Sequence, residues 1–585
     1  MKSIVWAALF LSLLPVVFAQ EGSIRLLALS ERSDGSTEGA VADLDLQIEP
    51  GKGRVFLETF PLTKASTQIS MRFAQQVACR ELDIDCSDKD FFFTIRALPG
   101  IVGGPSAGSA AAILTASLLT GAELRNDTVI TGTVNSGGVI GPVGGLKQKI
   151  EASAKEGVKR ALIPKGTVNF KDNATNTTID LVLFGRELGI EVIEVATLQD
   201  SLHEYSGRDF PRTTSDLVIE PAYSEKMTDI AKDLCDRGEQ IRSLLEERRT
   251  GQNTTELELG AVESQKLANA SFASGQFYAS ASFCFRANVQ LKRALALQRS
   301  WTEDQMAKAF VEQQNRITNY SAIIDGRQVR TITDLQTFMA VKERLSESEE
   351  SLREIVQNLN DSEANAERLA YAEERLFSAV TWARFFDGSA NNFVVDTGSL
   401  RDSCMAKIGE AEERINYVRT FLPDSLGEAR RELDKAYSDL NARNYSLCLY
   451  KASKVKSEAD VILGVLGLEK EDIDEYVVLK LGIVRDAVAK SQKKGIFPII
   501  GYSYYEYASS LKDSDKASAL LFAEYALEFS NLDIYFPKKP RMPSLFDYAR
   551  PHLGWLLGGI LVGLFIAVLY ITASQAMKEQ KRKRK

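Results

Sequence analysis

Gly104-Pro105-Ser106-Ala107-Gly108 and Gly144-Gly145-Leu146-Lys147 are the stretches on which the reading of this chain turns. The first sets a small hydroxyl nucleophile in a glycine-rich turn. An apolar run, Ser106 to Leu119, follows it and suits a buried helix. The second sets a lysine at the mouth of another helix, Leu146 to Glu156, which Gly157 ends. A serine hydroxyl is a weak nucleophile and needs a base within hydrogen-bond reach. The chain has two histidines, His203 and His552, and the second adjoins a long apolar segment. A Ser-His-Asp site could therefore draw only on His203, and lysine is the natural base by exclusion.

Working outward, residues 22–206 read as a mixed α/β domain. Ile24 to Leu29 and Gly39 to Ile48 alternate apolar and polar residues as strands do. Pro50-Gly51-Lys52-Gly53 is a turn before a returning strand, Arg54 to Glu58. Ser66 to Leu82 has helical spacing. Phe91 to Leu98, Thr128 to Val134, Val139 to Ile140 and Ala161 to Pro164 read as further strands. Strands alternating with helices argue for a layered α/β fold.

Beyond residue 222 glycine thins and the period becomes helical. Met227 to Arg248, Glu258 to Ala273 and Phe277 to Gln298 form one three-helix set. Leu400 to Leu422, Leu426 to Leu440 and Tyr445 to Leu463 repeat the plan. Further helical groups lie near Val341 to Phe386 and Glu471 to Phe529, which makes a loosely repeated all-α array. The expected divisions are 20–207 for the α/β domain, then 222–325, 333–390, 398–466 and 468–535 for the helical groups.

The six cysteines suggest sequential pairing, Cys79–Cys86, Cys235–Cys284 and Cys404–Cys448. In each three-helix set one cysteine lies in the first helix and the other early in the third, at comparable height in an up-down-up bundle. Metal binding fits poorly, because paired Cys-x-x-Cys knuckles are missing and histidine is nearly absent.

The ends set an expected compartment. Residues 1–19 carry Lys2 and an apolar run from Ile4 to Phe18, and read as a secretory signal, the alternative being an uncleaved anchor. Leu553 to Ala573 is an uncharged apolar run of membrane-spanning length. The basic tail in 574–585 follows, ending Lys581-Arg582-Lys583-Arg584-Lys585. Positive-inside reasoning puts that tail in the cytoplasm and the rest outside. Glycosylation sequons at Asn126, Asn173, Asn176, Asn253, Asn269, Asn319, Asn360 and Asn444 agree with an exterior location. The net charge of −8 argues against a general nucleic-acid binder.

Residues 22–200 resemble the proteolytic domain of the Lon protease family. The resemblance rests on Gly104-Pro105-Ser106-Ala107-Gly108, then Thr131-Gly132, then Gly138-Val139-Ile140-Gly141-Pro142-Val143-Gly144-Gly145-Leu146-Lys147-Gln148-Lys149, then Gly157 to Pro164. It implies an α/β fold of the ribosomal protein S5 domain 2-like type and a serine endopeptidase activity without a cofactor or metal. Ser106 is then the nucleophile, Lys147 the general base, and Thr131 the residue that orients the amine, unless Thr131 is an ordinary strand residue. Gly104, Ala107 and Gly108 shape the turn, whose backbone N–H groups lie near a developing oxyanion. For Lys147 to act as a base, burial by neighbours such as Val143 and Leu146 must lower its pKa. Lys149, two helical positions on, is expected to be solvated, and Ser109 to be a small packing residue.

Two departures from the family stand out. Many relatives carry an acidic residue three positions before the serine, where this chain has Gly103. Lon enzymes also couple the protease to an ATP-driven unfoldase, and this sequence contains no Gly-x-x-x-x-Gly-Lys-Ser/Thr loop. With the signal, array and C-terminal anchor, the chain resembles a membrane-bound archaeal branch of Lon-like proteases that cleaves unfolded or flexible polypeptides without ATP. Family analogy also allows a homo-oligomer. A non-catalytic surface scaffold and a mainly self-processing protease are the alternatives.

Overall fold

The computed structural model describes residues 20–31, 37–60, 65–96, 104–172, 177–210, 217–299, 301–357, 361–386, 393, 395–466, 468–536 and 545–583. The expected signal at 1–19, Gly103, and the sequons at Asn173, Asn176 and Asn360 lie outside the described residues.

Hydrophobic alternation builds the described part of residues 20–206. A seven-stranded sheet has the order β11-β8-β5-β1-β2-β4-β3. Its strands are β1 (Gln20–Glu31), β2 (Thr37–Pro50), β3 (Val55–Phe60), β4 (Lys89–Arg96), β5 (Thr128–Ile130), β8 (Arg160–Pro164) and β11 (Glu191–Val195). β1 and β2 pair antiparallel from Gln20↔Ile48 to Glu31↔Thr37. β1, β5, β8 and β11 run parallel. Leu26, Ala28, Ile130 and Leu162 enter one core, and Leu27, Val129, Ala161 and Ile163 enter another. A slip of one residue would exchange the two sets, and each large aliphatic residue is worth about 1.5–3 kcal/mol when buried, so the register is fixed by both faces at once.

The first core is closed by α1 (Ala65–Glu81), α2 (Gly108–Thr120) and α5 (Leu198–Ser206). The second is closed by α3 (Leu146–Lys155) and α4 (Leu181–Glu187). The expected strand over Thr128 to Val134 is interrupted. β5 stops at Ile130, and the chain resumes as β6 (Thr133–Val134), which pairs with β7 (Ile140–Gly141). At the break the Gly132 N–H donates to the Ser106 carbonyl at 3.3 Å, and the Gly132 carbonyl accepts from the Ser109 N–H at 3.1 Å. Both Gly132 backbone bonds thus go to the serine turn and the start of its helix and not to a neighbouring strand. A short hairpin, β9 (Asn169–Asp172) and β10 (Thr177–Asp180), precedes α4.

The rest is helical. The helices are α6 (Pro221–Glu247), α7 (Thr255–Ala273), α8 (Phe277–Leu297), α9 (Glu303–Asp325), α10 (Ile332–Gln357) and α11 (Ser362–Trp382). They continue as α12 (Thr397–Arg419), α13 (Gly427–Asn441), α14 (Tyr445–Val465), α15 (Ile473–Lys493), α16 (Ile499–Leu511) and α17 (Lys516–Ser530). One large apolar core, from Tyr223 to Phe536, runs through them. Residues up to Pro537 form a single compact unit. The disulfides Cys79–Cys86, Cys235–Cys284 and Cys404–Cys448 are all formed. The last two join α6 to α8 and α12 to α14.

Residues 538–585 form a second unit containing α18 (Leu545–Lys583). Among the described residues, no helix is long and apolar enough to cross a membrane. The expected span, Leu553 to Ala573, falls within α18, but the side chains of 545–561 lie outside those described.

Candidate active site

The serine turn is set by backbone demands. Gly104 has φ 128°, a conformation that glycine tolerates and side-chain-bearing residues rarely adopt. Pro105, Ser106 and Ala107 then form one 3₁₀ turn, and the Gly108 N–H donates to the Pro105 carbonyl as α2 begins. Pro105 and Ala107 are buried, whereas Ser106 is half-buried at the surface of the turn. A residue at the entry of a buried helix sits by the positive end of the helix dipole, a setting suited to negative charge.

The lysine helix begins from a second glycine-dependent corner. Gly145 is left-handed, with φ 68°, and caps α3. The Lys149 N–H donates to the Gly145 carbonyl at 3.0 Å, so Lys149 lies within the first turns. Leu146, Lys149, Ile150 and Ser153 are buried, as i, i+3, i+4 and i+7 positions of one helix face should be.

This overturns the expectation that Lys149 is solvated. Its relative exposure is 2%, and its Nζ donates to Thr131 Oγ1 at 2.9 Å. Burial pushes its pKa down from an ordinary value near 10.5 to about 7. Among the described residues, no carboxylate pairs with it. Lys147 is only half-buried, so the burial expected of Lys147 is found at Lys149. Lys149 lies three positions after buried Leu146, about 60° from it around the helix and so on the inward face, whereas Lys147 is turned about 200° from Lys149. The signal was present in the sequence, since Leu146, Lys149, Ile150 and Ser153 trace the inward stripe.

Thr131 is fully buried and sits in the break after β5, not within a strand. Its N–H donates to the Leu162 carbonyl at 3.2 Å. The segment Thr131-Gly132 thus touches both halves of the site. The Thr131 hydroxyl holds the Lys149 amine, and the Gly132 N–H holds the Ser106 carbonyl. The serine helix covers one face of the sheet and the lysine helix the other, and they converge where parallel strand β5 ends. Ser109 is fully buried, as a packing residue should be. His203 is exposed on α5, with Nδ1 2.9 Å from Asp209 Oδ1. Among the described residues, no group of three or more histidine, cysteine or acidic side chains is placed to hold a metal ion.

Chemically, the site offers a hydroxyl in a helix-entry turn and a buried amine able to be neutral near pH 7. That combination suits nucleophilic attack with proton transfer.

Comparison with known proteins places likeness on the segment that carries this site. The family described as Lon protease (S16) C-terminal proteolytic domain matches residues 39–193. Lon protease of Paraburkholderia phytofirmans is 34% identical over 131 residues, covering 22% of this chain and 16% of that protein. Lon protease of Azorhizobium caulinodans is 29% identical over 174 residues, covering 28% of this chain and 19% of that protein. Lon protease 2 of Syntrophobacter fumaroxidans is 46% identical over 71 residues, covering 12% of this chain and 9% of that protein. The chain thus spans less than a fifth of the length of these relatives, and the likeness lies in the proteolytic domain.

Proposed function

We propose that this chain is a serine endopeptidase in which Ser106 is the nucleophile and Lys149, not Lys147, is the general base. The observation that carries the reading is the buried Lys149 amine, 2.9 Å from the Thr131 hydroxyl and shifted to about 7, with no carboxylate partner among the described residues. A scaffold has no use for such an amine, since burying a lysine without a counter-charge costs stability.

The neutral Lys149 amine takes the Ser106 proton as Oγ bonds to the scissile carbonyl carbon. Backbone N–H groups at the start of α2 stabilise the charge developing on the carbonyl oxygen. The lysine ammonium then gives its proton to the leaving nitrogen as the C–N bond breaks, leaving an ester on Ser106. Water attacks that ester, Lys149 takes the water's proton, and the proton returns to Ser106 Oγ as the acid product leaves. Thr131 Oγ1, by accepting one amine hydrogen, limits the directions in which the nitrogen lone pair can point.

The substrates in this reading are unfolded or flexible polypeptides, cleaved without ATP, because the sequence holds no phosphate-binding loop. The protease domain faces the cell exterior, Leu553 to Ala573 anchors it, and the basic tail lies in the cytoplasm. Three disulfides and exposed sequon asparagines at Asn126, Asn253, Asn269, Asn319 and Asn444 support that topology. Degradation of a casein-type substrate by the purified full chain, with and without ATP, tests the function. Wild type should cleave equally in both, and Ser106→Ala should lose at least about 10³-fold in rate. Cleavage by Ser106→Ala would move the site elsewhere, and a requirement for ATP would point to a separate motor. Protease protection in sealed vesicles tests the topology, and a cytoplasmic Ser106 would refute it.

A further inference from the structure

The segment after Thr131-Gly132 and the glycine corner before the lysine helix are both held from outside the α/β domain by a single helix of the array. On α12, Arg414 Nη2 donates to the Val134 carbonyl at 3.0 Å and to Asn135 Oδ1 at 2.7 Å. Three residues on, and so on the same helix face, Tyr417 Oη accepts the Gly144 N–H at 2.8 Å. Phe421, just past the helix end, lies edge-on to Tyr417 with ring centroids 5.3 Å apart. Its Cζ would lie 3.4 Å from a Cβ built on Gly144.

These anchor points are next to the chemistry. Val134 follows the Thr131-Gly132 segment and packs on Gly108, where a Cβ would meet Val134 Cγ1 at 3.4 Å. Gly144 precedes the left-handed Gly145 from which the lysine helix starts. Neither loop closes its own backbone requirements. The Gly144 N–H and the Val134 carbonyl find their partners on α12. Arg414 is itself fixed, being 4% exposed with Nε 3.0 Å from Asp460 Oδ1 and Nη1 3.5 Å from Glu413 Oε2.

We infer that Arg414 and Tyr417 are positioning residues for the Ser106–Lys149 pair, so that the helical array completes the active site instead of only following it in the chain. Arg414 holds the Val134-Asn135 corner against the serine helix. Tyr417 holds the glycine corner that sets the depth of Lys149. This inference rests on the reading of Ser106 and Lys149 as the reacting pair.

The test uses the full chain with Tyr417→Phe, which removes one oxygen and keeps the ring, and Arg414→Lys, which keeps the charge beside Asp460. Tyr417→Phe should lower kcat about tenfold with KM within about twofold, at an unchanged Tm. The acid limb of its kcat profile should move to higher pH, because a looser corner admits water to Lys149. Amide exchange across residues 143–149 should also quicken, a readout that needs no activity. Arg414→Lys should lower kcat in the same way, with faster exchange at 133–136. Wild-type kcat, acid limb and exchange in both variants would overturn the inference. So would a kcat loss that follows a fall in Tm with the acid limb unmoved. Activity surviving in Ser106→Ala would instead defeat the underlying reading, and the exchange data would still report on the clamp.

Discussion

The molecule buries lysines in two opposite settings. In the α/β domain, Lys149 meets a hydroxyl and, among the described residues, no carboxylate, and burial takes its pKa down to about 7. In the array, Lys407 is fully buried too, but Nζ lies 2.9 Å from Glu410, 2.7 Å from Glu528 and 2.6 Å from the Tyr535 hydroxyl. Burial alone would lower Lys407, yet the attraction of Glu410 and Glu528 outweighs it and raises the pKa. Lys456, paired with Asp460 and Glu528, is raised in the same way. Burial therefore does not by itself make a lysine reactive. The counter-charge decides whether the amine is a fixed ion that joins helices or a base that can lose its proton.

The largest contrast to look for is in stability. Lys407→Met leaves Glu410 and Glu528 without their cation and should destabilise the fold by about 3–5 kcal/mol, read as a fall in denaturation midpoint. A loss below about 1 kcal/mol would mean that the array's ion cluster is not the charged structure described.

The next contrast is in pH. Lys149 must be neutral to act as a base, so kcat should fall about tenfold per pH unit below about 7 and level off above it. A rate that rises toward acid would contradict a lysine base of any number. Thr131→Val removes the hydroxyl that holds the amine, and should cost about tenfold in kcat while leaving the fold intact. Unchanged kinetics would reduce Thr131 to a packing residue.

The smallest effect is the most diagnostic of the comparison. In the unfolded chain Lys149 binds its proton up to about pH 10.4, and in the folded chain only up to about 7. Between those values the unfolded state holds more protons, so stability rises with pH. The cost of burying Lys149 is full below about pH 7 and gone above the unfolded value. Lys149→Met should therefore gain about 1–2 kcal/mol near pH 7, after the lost Thr131 hydrogen bond is counted, and gain nothing near pH 11. A loss like that expected for Lys407→Met would put the two lysines in one class.

The sequence carried the sheet's core alternation, the serine turn, the helical period beyond residue 222 and all three disulfide pairings. These depend on short-range patterns, with period 2 in Leu26 to Ala28, period 3.6 in the array, and cysteines at matched heights in α6 and α8. The buried lysine was placed wrongly, Lys147 being expected inside and Lys149 solvated, because the two lie two positions apart. Choosing between them needed the direction of α3's inward face, which Leu146 and Ile150 mark. The break at Thr131-Gly132 was not legible, since its cause is a pair of hydrogen bonds to Ser106 and Ser109, more than twenty residues earlier in the chain. The clasp of α12 on Val134, Asn135 and Gly144 was further out of reach. It joins residues some 270–280 positions apart, two of the three bonds going to backbone groups that have no sequence signature.

The most direct test of the account sets Lys149→Met beside Lys147→Met in one peptidase assay at pH 8, with folding checked by thermal melts. The account predicts that Lys149→Met is as inactive as Ser106→Ala while remaining folded, and that Lys147→Met keeps its rate within about threefold. A dead Lys147→Met beside an active Lys149→Met would contradict it.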